Sequence, residues 1–552
     1  MSTRILHHFS AALLGGLALL SGPLAAATPQ DAGFGLTAEQ AGRVGPDGIR
    51  YEEDLKRALI YTGGSQLMMQ TTVQALIEGE VERRRAAGID VSHCVVEEAE
   101  VDARIASLMA DFGTKNPGVD FWTTVEAMGN TRETYRGEIG RMILVDQLFF
   151  PKDPAKWPMD LLQEIFGPPA PAEGEAAPEG QEASPFLETP QAQAQDLMTQ
   201  SVMPTYEEVK KAFEAGEDFE VGGFIAQYVL RPGVMRWLMD QAEIVEPFAG
   251  LPAGTALRVN GRDFSTEELL AEVSPLIGPV ERERARMLVD VIWAVEEALA
   301  AKGALLSPEA CMERIAEERK EYEGSVISYE QMQLQFLGFP SMEVFHRVFR
   351  LRQSYKDTMG EIGPEEYAAH IEARHFFLAQ GKADAEVIYF AARDMTNGTY
   401  AKQGDPFGEA EKRAAKAAAE LAAGADWATV LLKYSDLPEA YPGSQSGMPT
   451  PQRGRFGAMP RNQIRDFLGE NDYFDVLYGQ SAGDRIFFDA EPGTIYGPVM
   501  GATGWCIYKL NRRLPPEVEL DFESNPRHQY LVKDDLLNVR FFAFVDEVMA
   551  SE

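Results

Sequence analysis

Cysteine is scarce in this sequence: Cys94, Cys311 and Cys506 are the only three in 552 residues. So few and so scattered, they cannot build a disulfide framework or the paired spacing of a zinc site, and are expected as small buried apolar side chains. Basic residues are outnumbered, 51 Lys and Arg against 86 Asp and Glu, for a formal charge of −35. Nucleic acid and anionic lipid are bound through basic clusters, so both are excluded as partners. The seven histidines are His7, His8, His93, His346, His370, His375 and His528, so none lies between Ala385 and Arg513. His370 and His375 are five apart, fall on poorly aligned faces of a helix, and have no companions at metal-ligand spacing. They are expected at the surface or in packing. No G-x-S-x-G, H-E-x-x-H or phosphate-loop pattern is present, and no metal or cofactor is implied. Beyond the first residues, no apolar run is long enough for a roughly 30 Å hydrocarbon core.

The N-terminus reads as an export signal. Arg4 is followed by the apolar run Ala11 to Leu24, and Ala25-Ala26-Ala27 offers small residues for cleavage. Residues 1–27 are therefore expected to be removed, leaving a mature protein in a periplasm or beyond, with no membrane span. The length favours two to four domains.

Residues 167–200 are rich in Pro, Ala, Glu and Gln without apolar periodicity, the composition of a linker. On either side the sequence is helical. Leu55 to Ala86 and Glu281 to Ala301 carry apolar residues at three- and four-residue spacing. The two flanks also resemble each other. Each has a Gly-containing turn before an acidic helix start, a long helix ending near Gly88 or Gly303, and a helix bearing Arg104-Ile105 or Arg314-Ile315. Each closes with an amphipathic helix, marked by Tyr135 and Ile139 or by Phe345 and Phe349. Ser265 and Glu268 have capping-box spacing. A duplicated helical unit is expected.

From Ala385 the pattern changes. Ala385 to Ala392 is β-branched and aromatic and reads as a strand. Phe407 to Ala423 is helical, Leu421 to Asp436 a Gly-punctuated helix pair, Arg453 to Gly457 a short strand and Arg461 to Gly469 a helix. Glu491 to Leu510 reads as two antiparallel strands. Beyond Pro516, Gln529 to Ala550 is an amphipathic helix whose Leu531, Leu536, Phe541, Phe542, Phe544 and Val545 need cover.

Two segments carry a family resemblance. Gly424-Ala425-Asp426-Trp427-Ala428 with Tyr434-Ser435-Asp436 resembles the "G-x-D-F-x…Y-S-D" stretch of parvulin-type prolyl isomerases. Pro492-Gly493-Thr494-Ile495 with Gly497-Pro498-Val499 and Gly504-Trp505-Cys506-Ile507 resembles that family's ending. The helical flanks look like the N-terminal domain of SurA-type chaperones. The resemblance to SurA- and PrsA-like foldases implies an α+β fold: mostly helical chaperone units, duplicated, plus a parvulin-like module with a four-stranded antiparallel sheet. It divides the chain into a helical unit at 28–166, the linker, a helical connector at 201–256, a second unit at 257–360, the module at 361–515 and a C-terminal helix at 516–552, docked on the helical body.

The departures from that family bear on activity. Where parvulins carry a histidine on the first strand, a Cys or Asp after Y-S-D and a histidine on the last strand, this chain has Val387, Leu437 and Cys506. Rotation about X-Pro faces a barrier of about 18–20 kcal/mol, and an apolar site can lower it only by favouring the twisted imide. Val387, Leu437, Phe456, Ile464, Phe467, Leu468 and Cys506 are the candidate lining of a peptide pocket; plain core positions in a small sheet are the other reading of each. The resemblance implies an exported holdase that binds unfolded or extended polypeptides, its isomerase module weak or inactive. An active prolyl isomerase and an assembly subunit with a fixed protein partner fit the same residues. Nothing in the sequence speaks to oligomeric state.

Overall fold

The structure, a computed structural model, describes residues 36–127, 132–150, 231–274, 277–322, 329–360, 362–395, 400–401, 403–437, 454–516, 520–522 and 524–551. The signal segment 1–27, the linker 167–200 and residues 201–230 of the connector lie outside these. The fold is α+β, with one three-stranded and one four-stranded antiparallel sheet. Among the described residues no helix is long and apolar enough to cross a membrane.

The first helical stretch comprises α1 (Ala38–Gly42), α2 (Tyr51–Gly63), α3 (Ser65–Ala86), α4 (Glu98–Lys115), α5 (Phe121–Ala127) and α6 (Arg132–Phe149). After α7 (Arg231–Asp240) come β1 (Ile244–Val245), β2 (Thr255–Val259) and β3 (Arg262–Ser265). These lead into α8 (Thr266–Val273), α9 (Pro279–Ala301), α10 (Pro308–Lys320) and α11 (Met342–Lys356). The two stretches share an element order: a tight turn, a short helix, a long helix and a helix pair. The long helices both end at a glycine in the left-handed region, Gly88 at φ 75° and Gly303 at φ 66°, a conformation that costs other residues dearly. Each pair of outer helices is tied by ion pairs, among them Arg104–Asp146 at 3.3 Å and Arg314–Asp357 at 2.6 Å. Ser265 caps α8 with Glu268 in a reciprocal box, satisfying two otherwise orphaned N–H groups.

The stretches do not stand as separate bodies. Helix α2 of the first packs along α9 of the second, and one hydrophobic core runs through both, from Leu55 and Leu59 to Leu288, Ile292 and Phe345. The turn before α2 is held by the second stretch: Arg43 pairs with Glu297 at 2.8 Å, and Arg350 forms a fork with Asp47. The β2–β3 hairpin before α8 is held by the first. Arg57 donates to the carbonyls of Pro252 and Thr255, Tyr61 donates to Ala256 O at 2.6 Å, and Arg262 pairs with Glu78. At the centre, Asp54 accepts Trp293 Nε1 at 2.6 Å and both terminal nitrogens of Arg347 at 2.7 Å.

Beside this network, Glu343 on α11 accepts Phe248 N at 2.8 Å, docking the segment after β1. Burial pushes the Glu343 carboxyl up to about 7, against the opposing Arg347 charge. A carboxyl raised in the folded state contributes stability below its ordinary pKa of about 4.3 and loses it as pH rises through the folded value. Glu343→Gln keeps an acceptor for Phe248 N and removes that loss. The variant should match the wild type near pH 4.5 and exceed it by roughly 3–4 kcal/mol at pH 8, measured by denaturant unfolding across that range. An unchanged difference from pH 4.5 to 8 would show that Glu343 ionises freely.

The second part begins with α12 (Pro364–Leu378), β4 (Lys382–Ala391), α13 (Pro406–Ala422), α14 (Trp427–Tyr434) and β5 (Arg455–Met459). It continues through α15 (Arg461–Leu468), α16 (Asp472–Tyr478), β6 (Ile495–Gly501) and β7 (Gly504–Leu514), and α17 (Pro526–Ser551) closes the chain. The sheet order is β5-β4-β7-β6, so β4 and β7 are central. Both faces of a central strand need apolar cover, which explains the near-continuous run Val387-Ile388-Tyr389-Phe390. Ile388 and Phe390 face α13 and α14; Val387 and Tyr389 face the opposite way. Helix α17 packs against α9, α11 and α12, with Asp535 accepting from Arg374 and contacting His370 at 2.9 Å.

Candidate inner-face site of the four-stranded sheet

The inner face is built from alternate residues of β4 and β7. Tyr389 lies opposite Cys506, and Val387 opposite Tyr508. The Tyr434-Ser435-Asp436 segment has a structural role here. Past Glu386, strand β4 no longer pairs with β5; Val387 N donates to Gly454 O at 2.7 Å, Tyr389 N to Ser435 Oγ at 3.2 Å, and Asp436 N to Tyr389 O at 2.8 Å. Asp436 also accepts Ala391 N at 2.8 Å. The segment thus replaces a strand along half of β4 and brings Leu437 into the inner-face cluster. Gly454 adopts φ 91°, and a Cβ there would come within 1.9 Å of Val387 O, so only glycine fits.

Six of the seven candidate residues, Val387, Leu437, Phe456, Ile464, Leu468 and Cys506, are buried in one apolar cluster, and half-buried Phe467 packs on it. The sequence reading grouped these seven residues together. It missed what lies over them. Residues 470–490 form α16, the short turn Ala482–Asp484 and the wide turn Arg485–Asp489, and Ala482, Ile486, Phe487 and Ala490 close onto the cluster. Phe376 on α12 meets Phe487 at 5.0 Å between ring centroids, and Phe488 meets Phe377 at 5.7 Å. The signal was present in Asp472-Tyr473-Phe474 and Ile486-Phe487-Phe488, apolar runs too dense for an exposed loop.

Buried polar contacts hold this cover in place. Glu470 accepts Ala482 N at 3.0 Å and Gly483 N at 2.8 Å; burial nonetheless pushes its carboxyl up to about 7. Arg465 pairs with Asp475 at 2.7 Å, and Arg461 forks onto Asp484 at 2.6 and 2.9 Å. On the face itself the polar groups are few. The Tyr389 hydroxyl pairs with Thr503 Oγ1, which contacts Leu468 O at 3.4 Å. Burial pushes the Cys506 thiol well above its ordinary range, and nearby Glu470 adds to the shift, so a thiolate is not available at neutral pH. Among the described residues the face is therefore mainly apolar, with its Cys506 thiol un-ionised.

No family model matches the chain, and no curated protein matches it. Similar solved structures include peptidylprolyl isomerase PrsA from Bacillus anthracis, at 12% identity and a TM-score of 0.20, covering 47% of this chain and 92% of that one. The corresponding protein from Bacillus cereus is 15% identical with a TM-score of 0.18, over 52% of this chain and 86% of that one. PrsA from Bacillus subtilis is also 15% identical, with a TM-score of 0.15, over 53% of this chain and 90% of its own.

Proposed function

We propose that this chain is an exported folding factor of the holdase type, with a duplicated helical body and a parvulin-like module of weak or no isomerase activity. One observation carries the reading of the module. Its β5-β4-β7-β6 sheet, with two helices between the first two strands in sequence, presents Val387, Leu437 and Cys506 at the positions the parvulin resemblance marks for catalysis. All three are buried and apolar in character. Shape could still favour a twisted imide, but the cover formed by Ile486 and Phe487 has to move before a peptide reaches Val387, Leu437 and Cys506. The matched turns, long helices and outer ion pairs of the two stretches support the duplication.

The test has two parts. The full-length protein should leave the isomerisation of a proline tetrapeptide within about twofold of its uncatalysed rate, which runs over tens to hundreds of seconds. It should also suppress aggregation of several unrelated unfolded proteins at stoichiometric concentration. Acceleration of a hundredfold or more would establish an active isomerase instead. Protection of none of the unfolded proteins would remove the general holdase. The sealed inner face favours a second reading in that case, an assembly subunit whose module serves a fixed protein partner.

A further inference from the structure

Several arginines buried elsewhere in this chain rest on carboxylates. Arg57 pairs with Glu53, Arg84 with Glu80, Arg347 with Asp54 and Arg465 with Asp475. Arg284 and Arg393 differ. Both lie against Tyr400, where α9 of the helical body touches the module, and among the described residues neither forms an ion pair with a carboxylate. Arg284 donates to Tyr400 Oη at 2.9 Å and to Ala502 O, and lies 4.9 Å from the centre of the Tyr400 ring. The groups acting on its charge are the phenols of Tyr400, Tyr478 and Tyr473. Arg393 pairs in an isolated bridge with Tyr400, and a Cβ on Gly469 would be 3.9 Å from its Nη2.

Three donors at this junction are buried without an acceptor: Arg284 Nε, Arg393 Nε and the Tyr473 hydroxyl. A buried donor with no partner costs on the order of 1–3 kcal/mol, more when charged. In a chain with 35 more acidic than basic residues, two guanidinium groups facing only phenols and carbonyls are a local excess of positive charge. Acceptors of complementary shape are planar or tetrahedral oxyanions, which guanidinium forks bind in pairs of parallel hydrogen bonds.

We propose that this junction binds a small oxyanion of the carboxylate or phosphate class, held by Arg284 Nε, Arg393 Nε and the Tyr473 hydroxyl. Bound there, the anion would join α9 to the Arg393–Tyr400 bridge and to α16, fixing the module against the body. The junction adjoins the Tyr389–Thr503 pair at the edge of the sheet's inner face, and the proposal does not rest on the foldase reading.

The experiment uses the full-length protein with inorganic phosphate and acetate as probes, each compared with chloride at equal ionic strength and low millimolar concentration. Saturating phosphate should raise the Tm by about 2 °C or more. Arg393→Gln and Tyr473→Phe, each checked for folding by circular dichroism, should lose most of that increment. Equal midpoints in phosphate, acetate and chloride would overturn the site, as would a full increment retained in both variants. Displacement of phosphate by a peptide with a free C-terminal carboxylate, but not by its amide, would assign the anion to a polypeptide end. Displacement by neither would assign it to a free ion, and the site would stand.

Discussion

Asp54→Ala should cost the chain about 3–5 kcal/mol, read as a lower denaturant midpoint for the helical signal, because removing one partner of a buried pair strands the other charge. The Arg347 side chain is 11% exposed and Asp54 5%, so water cannot replace the lost carboxylate. The substitution also strands Trp293 Nε1, whose acceptor among the described residues is Asp54. The double change Asp54→Leu with Arg347→Met should recover much of the loss, since matched apolar residues often equal or exceed a buried ion pair. A cost under about 1 kcal/mol for Asp54→Ala would mean that the Asp54 network is solvated.

The sequence made the helices and strands legible for physical reasons that differ along the chain. The long helices α3 and α9 showed in their periodicity and in the closing Gly88 and Gly303. The Ser265–Glu268 box, the strand around Val387 and the paired strands at Ile495 and Trp505 each carried a local cue. The exchange between the helical stretches did not show, because Arg43–Glu297 and Trp293–Asp54 join residues more than 230 positions apart, and no local pattern encodes such a pairing. The candidate site divided in the same way. Alternation along β4 placed Val387 with Cys506, but burial by Ile486 and Phe487 depends on how residues 470–490 fold back, a tertiary fact.

Phe487→Ala should destabilise the module by about 3–5 kcal/mol, the range for truncating a buried aromatic ring, and it should also change what the inner face can touch. Phe487 is 1% exposed and packs against the rings of Phe376 and Phe488. Removing its ring opens space over Val387 and Cys506 while Glu470 still holds the Ala482–Asp484 turn. Under conditions where circular dichroism shows the variant folded, fluorescence titration with an extended apolar peptide should give tighter binding than to the wild type. Binding no tighter in the folded variant would mean that the inner face is only a core, and the seven candidate residues would lose their peptide-binding role. Phe456→Ala removes a ring from the sheet side of the same cluster and serves as a control for instability without loss of the cover.

The interleaving of the helical stretches has a consequence for how the polypeptide reaches its native state. Helix α2 is made early, yet its main packing surface on α9 comes more than two hundred residues later. Until then Leu55, Leu59 and Ile60, each with 0% exposure in the finished fold, have no native surface to cover them. Contacts at such long sequence separation slow folding and prolong the lifetime of exposed apolar surface. The chain would then pass through a vulnerable stage during its own synthesis, with its first half waiting on its second.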